Sequence, residues 1–309
     1  MNGIYTIAPL VLVILLGMAL RKCGFLSSGD RETFIKVLYW VALPTLLFRT
    51  TYLAGGALSQ HTNLLWATYV PLVLVSLIGF LTSLVTHKNR KDLRAFSVMA
   101  STRSNAVYLG LPIVMLSMGN EGLDAASIVL AIMLPGQNLI SILSGEIIMS
   151  GRVSVGSLFS VILKVMKNPL VISCLLGLIA SQLGLPVPET VLISCKLVGD
   201  MATGVALIVL GAGLELPELF PALKNTWHDV AVKLIIHPAV TLAVFTVCNT
   251  PNIMLRAAVI IAAAPTAVNA FIVARGLNLD EQYACETVAI STVLAPVTLT
   301  AWLTLLGLG

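Results

Sequence analysis

The stretch LRAFSVMASTRSNAVYLGLPIVMLSM, residues 93–118, is apolar over a bilayer's width, yet its middle holds Arg103-Ser104-Asn105 and then Gly110-Leu111-Pro112. A second stretch, LRAAVIIAAAPTAVNAFIVA at 255–274, opens on the same Leu-Arg-Ala and breaks at Pro265-Thr266 before Asn269-Ala270. A proline inside a helix removes one N–H donor and clashes with the preceding turn, and hydrocarbon cannot satisfy the carbonyls this frees. Polar groups must therefore meet at each break. Interrupted spans at matching places in two halves of a chain are the sequence mark of a duplicated carrier whose binding site lies near the bilayer midplane.

Composition places the whole chain in the same setting. Of 309 residues, 58% are hydrophobic and only 10% charged, and the mean hydropathy is +0.98, which no soluble domain of this length matches. Spans are expected at about residues 4–20, 33–52, 64–86, 93–118, 127–149, 161–183, 191–214, 230–248, 254–274 and 285–306. The fold class that follows is all-α integral membrane, with ten transmembrane helices and no barrel alternation. The first span has no basic residue before it and no evident cleavage site, so it reads as an uncleaved span.

Basic residues collect in alternate loops: Arg21, Lys22 and Arg31; Lys88, Arg90 and Lys91; Arg152, Lys164 and Lys167; Lys224; Arg275. The positive-inside rule makes those loops cytoplasmic and puts both termini outside a plasma (inner) membrane. This bias accounts for the net charge of +4 and gives no support to a nucleic-acid partner. Five spans per half would invert residues 151–309 relative to 1–150, since an odd number of crossings reverses direction. The Leu-Arg-Ala openings, the two Asn-Ala pairs, and Leu134-Pro135 against Ala295-Pro296 all fit such an inverted repeat.

Taken in order, Leu16-Gly17 to Leu26, Ala42-Leu43-Pro44-Thr45-Leu46-Leu47-Phe48, Arg103-Ser104-Asn105 with Leu109-Gly110-Leu111-Pro112, and Gly119-Asn120-Glu121-Gly122 form one half of a pattern. Asn168-Pro169-Leu170, Leu210-Gly211-Ala212-Gly213-Leu214, and Ala263-Ala264-Pro265 with Asn269-Ala270 complete it. Over nearly its whole length the chain resembles the auxin efflux carrier family of secondary transporters, which includes bacterial permeases for malate and malonate, within the bile acid/auxin transporter superfamily. The resemblance implies a scaffold of spans 1, 2, 6 and 7, a transport domain of spans 3–5 and 8–10, crossing of broken spans 4 and 9, and a homodimer through the scaffold. Ala202-Thr203-Gly204-Val205-Ala206 departs from it where the family commonly has a proline.

The candidate site is built from the breaks outward. Carboxamides of Asn105 and Asn269 offer donors and acceptors, and half-helix N-termini offer N–H groups to an anion; each Asn could instead cap or join helices. Pro112 and Pro265 make the breaks, Thr266 lies within one, and Gly110 suits close backbone approach. Gln137 and Asn138, deep in span 5 beside Pro135, join the set. An Arg at mid-membrane costs roughly 2.5–3.5 kcal/mol even on a mild scale, so Arg103 must face protein, water or ligand. It either attracts a carboxylate or pairs with a buried acid such as Glu146 or Asp200. Asp200, with Lys196 four residues earlier, is either neutralised by it or couples transport to a proton. Pro44, Gly204 and Gly211 are expected to shape the scaffold face.

Other chemistries are poorly supplied. The five cysteines have no metal-ligand spacing, the histidines His61, His87, His228 and His237 are scattered without a paired carboxylate motif, and no Walker loop occurs, so neither cofactor nor metal is expected. An aspartyl protease on Gly199-Asp200 lacks a second deep Asp, and Ser141 and Ser144 lack a nearby histidine. The chain is therefore expected to be no enzyme but a secondary carrier for a small organic anion, working by alternating access. A sodium-coupled carrier of bile-acid type and a non-transporting anion sensor are the alternatives.

Overall fold

The computed structural model describes residues 2–60, 62–150, 167–213 and 219–308. The expected junction between the halves, with Arg152 and Lys164, lies outside them, as does His61. Among the described residues the chain is helical from end to end: α1 (Asn2–Lys22), α2 (Ser28–Val37), α3 (Leu43–Gln60), α4 (Thr62–Thr86), α5 (Lys91–Thr102), α6 (Leu111–Ser150), α7 (Pro169–Gln182), α8 (Glu189–Gly213), α9 (Leu219–Ala231), α10 (His237–Val247), α11 (Asn252–Ala263), α12 (Ala270–Gly276) and α13 (Glu281–Leu305). Five helical stretches, Asn63–Thr86, Leu111–Ser150, Glu189–Gly213, Pro221–Val247 and Glu281–Leu305, are long and apolar enough to cross a membrane. Within α6 the backbone turns at Gly119, whose φ of 67° is open to glycine without penalty, so Leu111–Ser150 is two helices joined at a kink.

Three π turns bridge consecutive helices: Leu38–Ala42 between α2 and α3, Ala106–Gly110 before α6, and Val232–Ile236 between α9 and α10. Each closes on an N–H that reaches five residues back, from Leu43 to Leu38, Leu111 to Ala106, and His237 to Val232. In every case the next residue is proline: Pro44, Pro112 and Pro238. A proline ring collides with the carbonyl four residues back, and widening the preceding turn by one residue relieves that collision. The expected prolines therefore loosen spans at defined points without ending them.

Packing falls mainly into two sets, with α3 also packed on α6 across them. The first joins α1 to α8 and α3 to α7 and α8. Its close approaches are glycine-made: a Cβ on Gly17 would lie 2.1 Å from the Ile208 carbonyl oxygen, one on Gly211 1.9 Å from that of Ile14, and one on Gly177 2.4 Å from that of Phe48. Small residues let helix backbones approach where lipid supplies no hydrophobic drive. The second set packs α4 on α5 and α10, and α11 on α6, α10 and α13. Ion pairs tie the sets at one end: Glu281 on α13 pairs with Arg31 on α2 and with Arg275 in the last turn of α12, and Arg275 also reaches Glu32 on α2 at 3.5 Å. Arg31 Nε in addition donates to the Val209 carbonyl on α8 at 3.2 Å. Nearby, the hydrogen-bonded Arg90 guanidinium holds the Asp92 carboxyl below its usual range.

The glycine contacts make a direct test. Gly211→Ala forces two backbones apart and is expected to cost about 1–3 kcal/mol. Gly204→Ala meets nothing within 4 Å and is expected to be neutral or to gain up to about 1 kcal/mol in helix propensity. Thermal melting of the two purified variants checks the contrast.

Candidate functional site

Each broken span stops its first half-helix on extended backbone. α5 ends at Arg103 (φ −82°, ψ 103°) and α11 at Ala264 (φ −60°, ψ 147°). There the two breaks meet. Ser104 and Thr266 form an antiparallel bridge, with Asn105 N donating to Pro265 O at 2.8 Å and Ala267 N to Arg103 O at 2.9 Å. The register that lays Leu93-Arg94-Ala95 on Leu255-Arg256-Ala257 also lays Arg103 on Pro265, Ser104 on Thr266 and Asn105 on Ala267. These two bonds are the reciprocal pair of one antiparallel bridge, and in the same register Asn269 aligns with Val107, two residues beyond the position that matches Asn105.

A cavity of about 190 Å³ adjoins the meeting point, walled by Leu46, Leu47 and Arg49 of α3, Asp200 of α8, and Arg103, Asn105, Gln137, Asn138 and Asn269. It lies between the two packing sets and is smaller than the roughly 300–1,000 Å³ of sites for drug-sized ligands. Ala106 and Val107 also line it, so the segment starting there brings the unpaired N–H groups of a helix beginning to the cavity. Of the ten residues expected from sequence, six line this space. Pro265 and Thr266 serve the backbone pairing behind it, and Gly110 and Pro112 stand away from the wall. A Cβ on Gly110 would find Ile261 at an ordinary 3.5 Å, so close backbone approach does not explain that glycine.

Arg103 is 2% exposed and makes no ion pair among the described residues; Nη1 donates to Ser141 Oγ and Nη2 to Asn269 Oδ1, each at 3.0 Å. The pairing with Glu146 or Asp200 considered from sequence does not form. Asp200 instead holds Lys196 at 2.5 Å, both about half exposed. Arg103 Nε and Asn105 Nδ2 are buried without a protein acceptor, and Ser104 N reaches Gln137 Oε1 at 3.3 Å. Asn138 Nδ2 donates to the Leu134 carbonyl at 2.7 Å.

Sequence reasoning missed a second cation. Lys233, fully buried in the π turn between α9 and α10, places Nζ 2.8 Å from Ser104 Oγ, 2.6 Å from Ala262 O and 3.2 Å from His237 Nδ1. Three acceptors around one nitrogen suit an ammonium with three N–H donors. The Ala262 carbonyl belongs to the last turn of α11, where a cation is favoured at the negative end of a helix. Among the described residues no carboxylate pairs with Lys233. A signal was present: Asp229, Lys233 and His237 recur every fourth residue and so lie along one side of a helix.

The turn carrying Lys233 is itself anchored. Pro238 cannot donate to the Leu234 carbonyl, and Trp302 Nε1 on α13 does so instead at 2.9 Å. Trp302→Phe keeps the ring and strands that carbonyl. Its expected cost is about 1–3 kcal/mol, read as a lower melting temperature.

Comparison with known proteins adds a family. A family model described as membrane transport protein matches residues 3–303. An "uncharacterized transporter" of Methanothermobacter thermautotrophicus is 26% identical, with 98% of each chain covered. A "putative malonate transporter" of Rhizobium meliloti is 23% identical over 92% of this chain and 88% of its own. A "probable auxin efflux carrier component 1b" of Oryza sativa subsp. japonica is 28% identical over 47% of this chain and 27% of its own.

Proposed function

Because the chain belongs to the membrane transport protein family, the auxin efflux carrier family its sequence resembles, we propose that it carries a small carboxylate across the membrane by alternating access, with the anion held where the two broken spans meet. Family and relatives mark it as a membrane transporter and not an enzyme. The observation that carries the choice of an anion is a pair of buried basic side chains, Arg103 in the wall of the small cavity and Lys233 bonded to its lining residue Ser104, neither with a carboxylate partner among the described residues. Leaving charge unpaired in a membrane interior is costly, and an acid anion offsets it. Its oxygens would accept from Arg103 Nε and Asn105 Nδ2, while Gln137, Asn138 and Asn269 orient the rest.

In this reading α1 to α6 and α7 to α13 are two inverted repeats of five spans each. The scaffold comprises α1, α2 with α3, α7 and α8; the transport unit comprises the remaining helices. The glycine-made contacts of α1 with α8 and of α3 with α7 support a tight scaffold, and the cavity's place between the two sets supports movement at that boundary. The ion pairs of Glu281 with Arg31 and of Arg275 with Glu32 join scaffold to transport unit and would break on each cycle. Asp200, already neutralised by Lys196, is a weaker coupling candidate than its position suggested; a proton remains the coupling ion of this reading.

Purified protein in proteoliposomes given labelled malonate tests the proposal. Saturable uptake or counterflow is expected, independent of sodium. Arg103→Gln is expected to weaken malonate by roughly tenfold to a hundredfold, the worth of one charge-assisted hydrogen bond, and Lys233→Met, which removes a charge behind Ser104 but no ligand contact, to weaken it less. Binding without flux would make the protein a sensor, and flux that requires sodium would favour the bile-acid type.

A further inference from the structure

Away from the cavity, the loop after α4, the end of α9 and the start of α13 bring together groups that the sequence scatters. His87 Nε2 lies 3.0 Å from His228 Nε2, and His228 Nε2 lies 3.4 Å from Asp229 Oδ1. These three atoms all fall within 4.8 Å of one another. The absence of a paired carboxylate motif in the sequence is thus corrected by the fold. Asp229 is fully buried. Its Oδ2 accepts from Ser97 Oγ at 2.9 Å and Tyr283 OH at 2.8 Å, while Oδ1 has no hydrogen-bond donor.

We infer that His87, His228 and Asp229 form a binding site for one divalent transition-metal cation of the zinc type. Two imidazoles and a carboxylate with a position left open are a common donor set for such ions. Around a tetrahedral metal with bonds of about 2.0–2.1 Å, neighbouring donor atoms stand about 3.3 Å apart; His87–His228 at 3.0 Å and His228–Asp229 at 3.4 Å are near this spacing, and the ion would draw His87 and Asp229 together from within 4.8 Å. The Ser97 and Tyr283 hydroxyls hold Oδ2 so that Oδ1 is free for the ion, the outer-shell support that fixes a ligating carboxylate. Access is open: Thr86, His87, His228 and Tyr283 line a surface cavity of about 520 Å³ that also carries Asp280 and Glu286. Arg90 at its rim is tied to Asp92 at 2.7 Å and Asp280 at 2.8 Å, which offsets its repulsion of a cation.

Without metal, the facing Nε2 atoms share one proton in an N–H···N contact. A metal takes both lone pairs and displaces that proton, so uptake falls as pH is lowered. The ion would fasten the loop after α4 to α9 beside α13, all within the transport unit, and stabilise that unit without touching the anion cavity.

Cobalt titration of the purified full-length protein, in a chelator-treated preparation, tests this. One Co²⁺ per chain with tetrahedral visible bands is expected, displaced stoichiometrically by Zn²⁺, with Zn²⁺ raising the melting temperature. His87→Ala, His228→Gln and Asp229→Asn are each expected to lower affinity at least tenfold, and His61→Ala to leave it unchanged. Elution volume and melting without metal verify that each variant is folded, and at least one of the three should pass. Non-saturating binding by the unaltered protein, or stoichiometric binding that persists in a folded variant, overturns the site. Neither result depends on whether malonate is carried.

Discussion

Two backbone hydrogen bonds, Asn105 to Pro265 and Ala267 to Arg103, hold the centre of the molecule together. Broken helices expose N–H and C=O groups at the depth where a bilayer offers no water to receive them. Here each break supplies what the other lacks, because in an antiparallel bridge each segment presents a donor to the other's acceptor. It also frees the side chains of Arg103, Asn105 and Asn269 from capping duty, so that they can face a cavity.

Charge is arranged with equal economy. Lys233 sits against the carbonyl end of α11 and the Ser104 hydroxyl, and Arg103 is steered by Ser141 and Asn269. Neither is silenced by a neighbouring carboxylate. A buried ion pair would have fixed the site at neutrality and left a negatively charged guest nothing to complete. The supporting partners are hydroxyls, amides and carbonyls, which orient a cation while leaving its net charge for a ligand.

Much of this was legible in the residues. The two Leu-Arg-Ala openings carry the register that the bridge obeys, and Pro44, Pro112 and Pro265 marked real departures from regular helix. The two Asn-Ala pairs stand two positions apart in that register, so Asn105 and Asn269 reach the cavity from different places along their segments. Lys233 was passed over as one charge near the start of an apolar run, although its four-residue spacing with Asp229 and His237 gave it away. The cluster of His87, His228 and Asp229 could not be read at all, since loop and helix far apart in sequence are joined only by the folded packing. Three π turns were likewise hidden: a sequence shows the proline, not the wider turn that absorbs it.

The unpaired state of Arg103 and Lys233 bears on electrical work. A unit that crosses the field of an energised membrane with two uncompensated positive charges does work of about 2.3 kcal/mol per charge per 100 mV for a full traverse. In the carrier proposed above, a dianion would cancel both charges and a proton carried with it would leave one. Voltage would then act more strongly on the empty return stroke than on the loaded one, and membrane potential would set how often the vehicle comes back.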